Sequence, residues 1–252
     1  MAMRGRVEKY LNDAVEREGT IHLSLIDPQN VKPDAAGVLA RNLSDIGSSA
    51  IMIGGSTVVS QLDLDEVVKE IKNNTDIPTI LFPNGVAGIS KHADAIFFST
   101  LMNSSNPYFI TGVQALGAPL VRRYGLETLP MGYIVVGSSP GTVGFVGQAA
   151  PIPQDKPELA AMYALASEYL GMRFVYLEAG SGSERPVSPE MIRYVRDTVG
   201  ARLIVGGGIR TPQQAIEISK AGADVIVTGN MIEKSSIENA RRLIAGLRRH
   251  RE

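Results

Sequence analysis

The sequence predicts an α/β fold, a (β/α)8 barrel whose third outer helix is missing or reduced. Three observations lead there. Short apolar, β-branched runs recur eight times along the 252 residues. Helical patterns separate most of them. The runs are almost continuously hydrophobic rather than alternating, as strands buried on both faces should be.

The strand candidates are Ile21–Ile26, Ala50–Ile53, Thr79–Phe82, Ala95–Phe98, Tyr133–Val136, Phe174–Leu177, Leu203–Val205 and Val225–Thr228. A helix over Arg4–Arg17 precedes the first. After it, Asp34 is placed to cap a helix carrying Val38, Leu39, Leu43 and Ile46 on one side. Leu64, Val67, Val68 and Ile71 repeat that spacing. Further helices are expected over Pro107–Leu116, Pro157–Leu170, Pro189–Val199, Pro212–Ala221 and Ser236–Leu247. Several open on a proline, whose missing N–H costs little in the first turn.

One gap departs from the pattern. Only Pro83–Asp94 separates the third and fourth strands, with two glycines and little helical period. It is too short for a crossover helix and its loops, so an apolar groove is expected on that flank. Val136–Pro157, rich in glycine and proline, reads as a long βα loop. Residues 1–252 are expected to form one domain, since no linker divides them. A doubly wound open sheet is the alternative fold.

Composition narrows the chemistry. Charges balance, with 25 Lys+Arg against 26 Asp+Glu, which argues against a nucleic-acid partner held by bulk electrostatics. Arg241, Arg242, Arg248, Arg249 and Arg251 read as cations on a solvated last helix. With no cysteine there are no disulfides, thiolate metal sites or cysteine nucleophiles. Three histidines make a multi-histidine zinc site a poor prospect, so any metal should be a hard cation held by oxygen. The charged first residues do not resemble a signal peptide, and no apolar run reaches the ~18 residues a membrane span needs. A cytoplasmic protein without a transmembrane segment is expected, self-associating through apolar residues on its outer helices.

Three glycine-rich turns follow late strands: Tyr176-Leu-Glu-Ala-Gly-Ser-Gly182, Val205-Gly-Gly-Gly-Ile-Arg210 and Thr228-Gly-Asn230. In a barrel these strand ends form the active-site face, and the last two loops are the usual phosphate site. Glycine lets backbone N–H groups approach an anion closely. Within the first turn, Glu178 is a candidate base for a substrate hydroxyl, or a group that only orients it. Tyr176 could bond the ligand, face a developing cation or simply pack. Across the mouth, Leu25-Ile-Asp-Pro-Gln29 and Ile53-Gly-Gly-Ser-Thr57 end the first two strands. Asp27 and Ser56 offer hard oxygen donors suited to Mg²⁺ completed by water and a substrate phosphate, although Asp27-Pro28 is also a turn former. Two anion-binding halves suit a reaction between two phosphorylated substrates.

Together the blocks HLSLIDPQ (22–29), IGGS (53–56), LFPN (81–84), FFSTLMNS (97–104), PMGYIVV (130–136), YLEAGSG, VGGGIR and TGN resemble the geranylgeranylglyceryl phosphate synthases. The resemblance spans nearly the whole chain. It implies a barrel lacking its third helix. It also implies Mg²⁺-dependent transfer of a prenyl group from geranylgeranyl diphosphate to the 3-hydroxyl of sn-glycerol 1-phosphate. By the same resemblance Asp27 and Ser56 match the Mg²⁺ positions, and Glu178 matches the residue that engages the glycerol hydroxyl. Tyr176, Leu177, Glu178, Ala179, Gly180, Ser181, Gly182, Gly207, Gly208, Gly229 and Asn230 match the glycerol-phosphate contacts. The prenyl chain would lie in the flank groove, near Leu101, Met102, Tyr108 and Phe109. Three other readings compete. One is a bacterial relative's longer heptaprenyl donor. Another is an isomerase or lyase acting on a phosphorylated sugar or amino-acid precursor. The last is a barrel that binds a phosphorylated or lipid ligand without turning it over.

Overall fold

The computed structural model describes residues 5–55, 60–138, 141–229 and 237–249. Its strands are β1 (Ile21–Ile26), β2 (Ala50–Ile53), β3 (Thr79–Leu81), β4 (Ala95–Leu101), β5 (Glu127–Val135), β6 (Phe174–Glu178), β7 (Arg202–Gly206) and β8 (Val225–Thr228). Each pairs in parallel with the next, and β8 returns to β1 in the register Ser24↔Thr228. Closure excludes the open sheet and leaves no free edge.

The helices are α1 (Arg6–Glu18), α2 (Pro33–Asp45), α3 (Gln61–Asn74), α4 (Val113–Tyr124), α5 (Gly141–Val146), α6 (Pro157–Tyr169), α7 (Pro189–Thr198), α8 (Pro212–Lys220) and α9 (Ile237–Arg249). The crossover between β3 and β4 holds a single 3₁₀ turn, Val86–Gly88, in place of a helix.

Local differences from the sequence reading have local causes. Lys32, not Asp34, is the N-cap of α2; Pro33 takes the first helical position and moves Asp34 into the first turn. There Asp34 meets the helix dipole rather than capping. β5 begins at Glu127, not Tyr133, and runs through Pro130, whose carbonyl accepts from the Arg173 N–H at 3.1 Å. The helix expected to end at Leu116 starts with one π turn, Tyr108–Gly112, and continues as α4 to Tyr124. Pro119 lies on its exposed side, where water can serve the carbonyl that proline leaves unbonded. The long loop after β5 contains the short helix α5.

Strand alternation sorts the core into two layers. Ile21, Leu23, Phe174 and Tyr176 point into the barrel, whereas Ile26, Val175 and Leu177 point out to the helices. Val7, Leu11, Ala14 and Val15 of α1 pack on the inner cluster and plug the barrel's N-terminal end. Polar contacts from strand starts hold this plug. Glu127 accepts from the Val7 and Glu8 N–H groups at 2.8 Å each, Arg173 pairs with buried Glu8 at 2.6 Å, and Arg202 reaches Asn12 at 2.7 Å. A carboxylate at a helix N-terminus satisfies donors with no partner inside the helix and meets the positive end of the dipole. Glu127→Ala should therefore lower stability by about 1–2 kcal/mol. In thermal denaturation the midpoint should fall, while ligand affinity at the opposite, C-terminal end stays unchanged.

Candidate active site

The C-terminal strand ends surround two cavities that share Leu25, Glu178, Ser181 and Gly229. One is a polar cradle lined by Ser181, Gly182, Ser183, Gly207, Gly208, Ile209, Arg210 and Thr228. The other is an apolar groove with about 1380 Å³ of empty space, counting the part open to solvent. Phe82, Ile89, Phe97, Phe98, Phe109 and Val113 line much of it. It runs out through the flank that the shortened crossover leaves uncovered.

Glu178 stands where cradle and groove meet. As the last residue of β6 it shares the inward face of Tyr176, and it is only 8% exposed. The Gly180 N–H donates to its Oε1 at 2.7 Å, and the hydroxyls of Tyr176 and Tyr133 also donate to it. Burial raises its pKa above the ordinary 4.5, against these three hydrogen bonds, which favour the charged form. Burial and then the adjacent carboxylate hold both tyrosines well above 10, so they stay donors. Tyr133 and Tyr176 are register partners on β5 and β6, with ring centroids 5.1 Å apart, and Phe82 stacks on Tyr176 at 5.7 Å. Tyr133 escaped the sequence reading. The alternation Met131, Tyr133, Val135 was its only signal, and that pattern says which face a residue shares rather than which carboxylate it meets.

The glycine triplet after β7 has a steric reason. A Cβ on Gly206 would fall on the Tyr176 hydroxyl, and one on Gly207 would meet the Glu178 carboxylate. Gly207 and Gly208 also have φ of +82° and +69°, a region that L side chains rarely adopt. The α8 N-terminus follows directly, with Thr211 and Gln214 forming a reciprocal cap. Arg210 donates to the carbonyls of Gly182 at 3.3 Å and Ser183 at 2.9 Å, tying the β6 loop to the β7 loop. Ile209, Arg210 and Thr228 line the cradle too, although only the glycines of their motifs were expected as ligand contacts, and Ser183 lies beyond the motifs altogether.

Several expected ligand contacts are used otherwise. Leu177, on the outer face of β6, and Ala179, just past its end, pack toward the helices. The Ala179 N–H bonds to the Gly206 carbonyl at 3.1 Å. The Gly180 N–H serves Glu178. Ser181, Gly182, Gly207, Gly208 and Gly229 do face the cradle. Of the residues expected beside the prenyl chain, Leu101 and Phe109 line the groove. Met102 packs against the outer core instead, and Tyr108 is 43% exposed.

Asp27 lines the groove on the far side of the mouth, beside Gly54 and Gly55. Its Oδ1 accepts from the Gln29 N–H at 3.0 Å and its carbonyl from the Asn30 N–H at 3.0 Å, so it does form a turn. Gly55 packs so closely on the carboxylate that a Cβ there would overlap it. Ser56 and Asn230 lie outside the described residues. Among the described residues no three His, Asp or Glu side chains cluster as metal ligands.

Residues 12–247 match the model of the PcrB family. The chain belongs to the PcrB family. Among its PcrB-like relatives, the geranylgeranylglyceryl phosphate synthase of Pyrococcus abyssi is 56% identical over 99% of both chains. That of Thermococcus kodakarensis is 55% identical over 99% of this chain and 98% of its own. The crystal structure of (S)-3-O-geranylgeranylglyceryl phosphate synthase from Thermoplasma acidophilum, in complex with its substrate sn-glycerol-1-phosphate, superposes with a TM-score of 0.92. It is 39% identical and covers 98% of this chain and 100% of its own. A thiamine phosphate pyrophosphorylase from Pyrococcus furiosus, 16% identical with a TM-score of 0.60, shares the fold alone.

The contact between Gly206 and Tyr176 gives a direct check on this PcrB site. Gly206→Ala should destabilise the barrel by about 1–3 kcal/mol through overpacking. Adding Tyr176→Phe, which removes the hydroxyl the new methyl would strike, should recover part of that loss in denaturant unfolding. Equal or greater loss in the double variant would contradict the geometry.

Proposed function

We propose that the chain transfers a geranylgeranyl group from geranylgeranyl diphosphate to the 3-hydroxyl of sn-glycerol 1-phosphate. One observation carries this reading: a buried carboxylate sits at the junction of a backbone-lined anion cradle and an apolar groove. Similarity to the geranylgeranylglyceryl phosphate synthases, one of them with sn-glycerol-1-phosphate bound in the Thermoplasma acidophilum structure, supports it. A sugar-phosphate isomerase or lyase would need the cradle but not the groove.

In this reading the cradle holds the glycerol phosphate and presents its hydroxyl to Glu178. The allylic C–O bond to the diphosphate breaks, a new C–O ether bond forms, and the hydroxyl proton passes to Glu178. Desolvation makes that carboxylate a stronger base, and the Gly180 N–H with the two tyrosine hydroxyls fixes its position. The rings of Tyr133 and Phe82 line the same cavity and offer π-faces to a carbocation-like carbon. Asp27 faces the diphosphate side. One carboxylate in a roomy mouth suits Mg²⁺, which keeps several waters and takes substrate phosphates as ligands. Asp27, with Ser56, would hold the ion, and the ion would neutralise charge on the departing diphosphate.

The decisive experiment is transfer of labelled sn-glycerol 1-phosphate into the organic phase with prenyl diphosphates of increasing length, with and without Mg²⁺. Label should move with the C20 donor and only with metal. Preference for a much longer donor would keep the chemistry and change the donor. No transfer with any donor would end the transferase reading. Glu178→Gln should lower turnover at least a hundredfold while changing glycerol-phosphate affinity little. Native turnover should fall on acidification with an apparent pKa above 4.5, because protonation below the raised value removes the base. Asp27→Ala should abolish the Mg²⁺ response.

Self-association and a cytoplasmic location belong to the same reading. Met162, Tyr169, Leu170 and Tyr194 are 66%, 80%, 70% and 48% exposed on and beside α6 and α7, an apolar face suited to a second copy. No helix among the described residues is long and apolar enough to cross a membrane.

A further inference from the structure

Behind the cradle lies a buried polar seam that the proposed chemistry does not use. His22 of β1 is 2% exposed, and its Nε2 is 2.8 Å from the Thr228 hydroxyl. Ser48 is 3.4 Å from the Nδ1 and accepts from Ser24 at 2.9 Å. Ser24, Ser48 and Thr228 are 0%, 3% and 4% exposed. All the side chains in this seam turn away from the barrel interior. Burial lowers the His22 pKa to about 3, so the imidazole is neutral, with one donor and one acceptor nitrogen. Either tautomer keeps the bond to Thr228, whose hydroxyl can donate or accept.

The location of that bond matters. Thr228 ends a four-residue strand. On the β7 side the ladder stops one residue earlier, at Gly206↔Val227, so Thr228 has a register partner only in β1. Thr228 and the next residue, Gly229, line the cradle. A strand end held by one neighbour and followed by glycine is free to splay. The His22 bond reaches diagonally across the outer face, from the position paired with Ile226 to Thr228, and supplies a second anchor.

We propose that His22 is a positioning residue for the anion cradle, fixing through the Thr228 hydroxyl the direction in which the end of β8 presents its backbone to the ligand's phosphate. The glycerol-phosphate identity of that ligand rests on the proposed function; the anchoring itself requires only a phosphate.

The test is calorimetric binding of sn-glycerol 1-phosphate, with inorganic phosphate as a second probe, to the native chain and to His22→Leu, His22→Gln and Thr228→Val. Thermal unfolding is followed in parallel. His22→Leu should weaken both ligands about tenfold, the weight of one neutral buried hydrogen bond. Gln places an amide nitrogen near the lost Nε2 and should restore most of the affinity. In turnover, KM for glycerol phosphate should rise while KM for the prenyl diphosphate holds, a split that general loosening of the core would not give. The double variant His22→Leu/Thr228→Val should bind no worse than the weaker single variant, because both remove the same bond. A folded His22→Leu with native affinity overturns the inference. Should His22→Leu not fold, Thr228→Val decides: native affinity overturns the anchoring, a tenfold loss supports it. A native chain that binds phosphate but not glycerol phosphate defeats the proposed substrate and leaves the anchoring to be judged on phosphate. One that binds neither overturns both.

Discussion

A carboxylate buried at the mouth of an apolar barrel organises this end of the molecule. Charge in that position is costly unless hydrogen bonds surround it. Glu178 draws them from two tyrosine hydroxyls and a backbone N–H. This arrangement imposes further requirements on the backbone around it. The Tyr176 hydroxyl needs space that only glycine leaves at 206, the Glu178 oxygen needs the same at 207, and the Gly180 N–H must turn back on its own strand. The glycine triplet that reads as an anion loop is thus also packing space for the buried carboxylate. The same backbone turn that accommodates Glu178 opens the cradle, which couples the position of the carboxylate to the shape of the cradle.

The shortened crossover is the second constraint. A full helix between β3 and β4 would cover Ile89, Phe98 and Val113 and remove apolar surface from water. This chain leaves that face as a groove. Its far wall begins with a π turn, a distortion frequent at functional sites. Gln114, in the first turn of α4, donates its Nε2 to the carbonyls of Ser99 and Phe109 at 2.7 and 3.1 Å. It thereby stitches the irregular helix start to the end of β4. The groove is lined by strand ends, the start of α4 and the β3–β4 crossover itself.

Legibility from sequence followed the range of the interactions. The strands whose apolar runs are bounded by turn residues, such as Ile21–Ile26 and Val225–Thr228, agree with the structure residue for residue. The local pattern starts β5 only at Tyr133, because Pro130 and Gly132 oppose strand formation, while pairing with β4 and β6 on both sides overrides that opposition. Likewise the local pattern ends that helix before Gly117 and Pro119, whereas α4 continues through both to Tyr124. Within the YLEAGSG segment the motif pointed to a ligand-facing turn as a whole. Strand parity then divided it, with Glu178 facing the cavities and Leu177 and Ala179 facing the helices.

By itself the sequence determined the order of elements, the shortened crossover and the location of the glycine-rich turns at strand ends. These depend on hydrophobic period, segment length and glycine placement, all carried by neighbouring residues. Tertiary structure alone decided that Tyr133 reaches Glu178 across a β5–β6 register, that Gly206 lies against the Tyr176 hydroxyl, and that His22 stands behind Thr228. Such contacts join residues 30 to 206 positions apart. They exist only after barrel closure fixes the shear between strands, a quantity that no local pattern encodes.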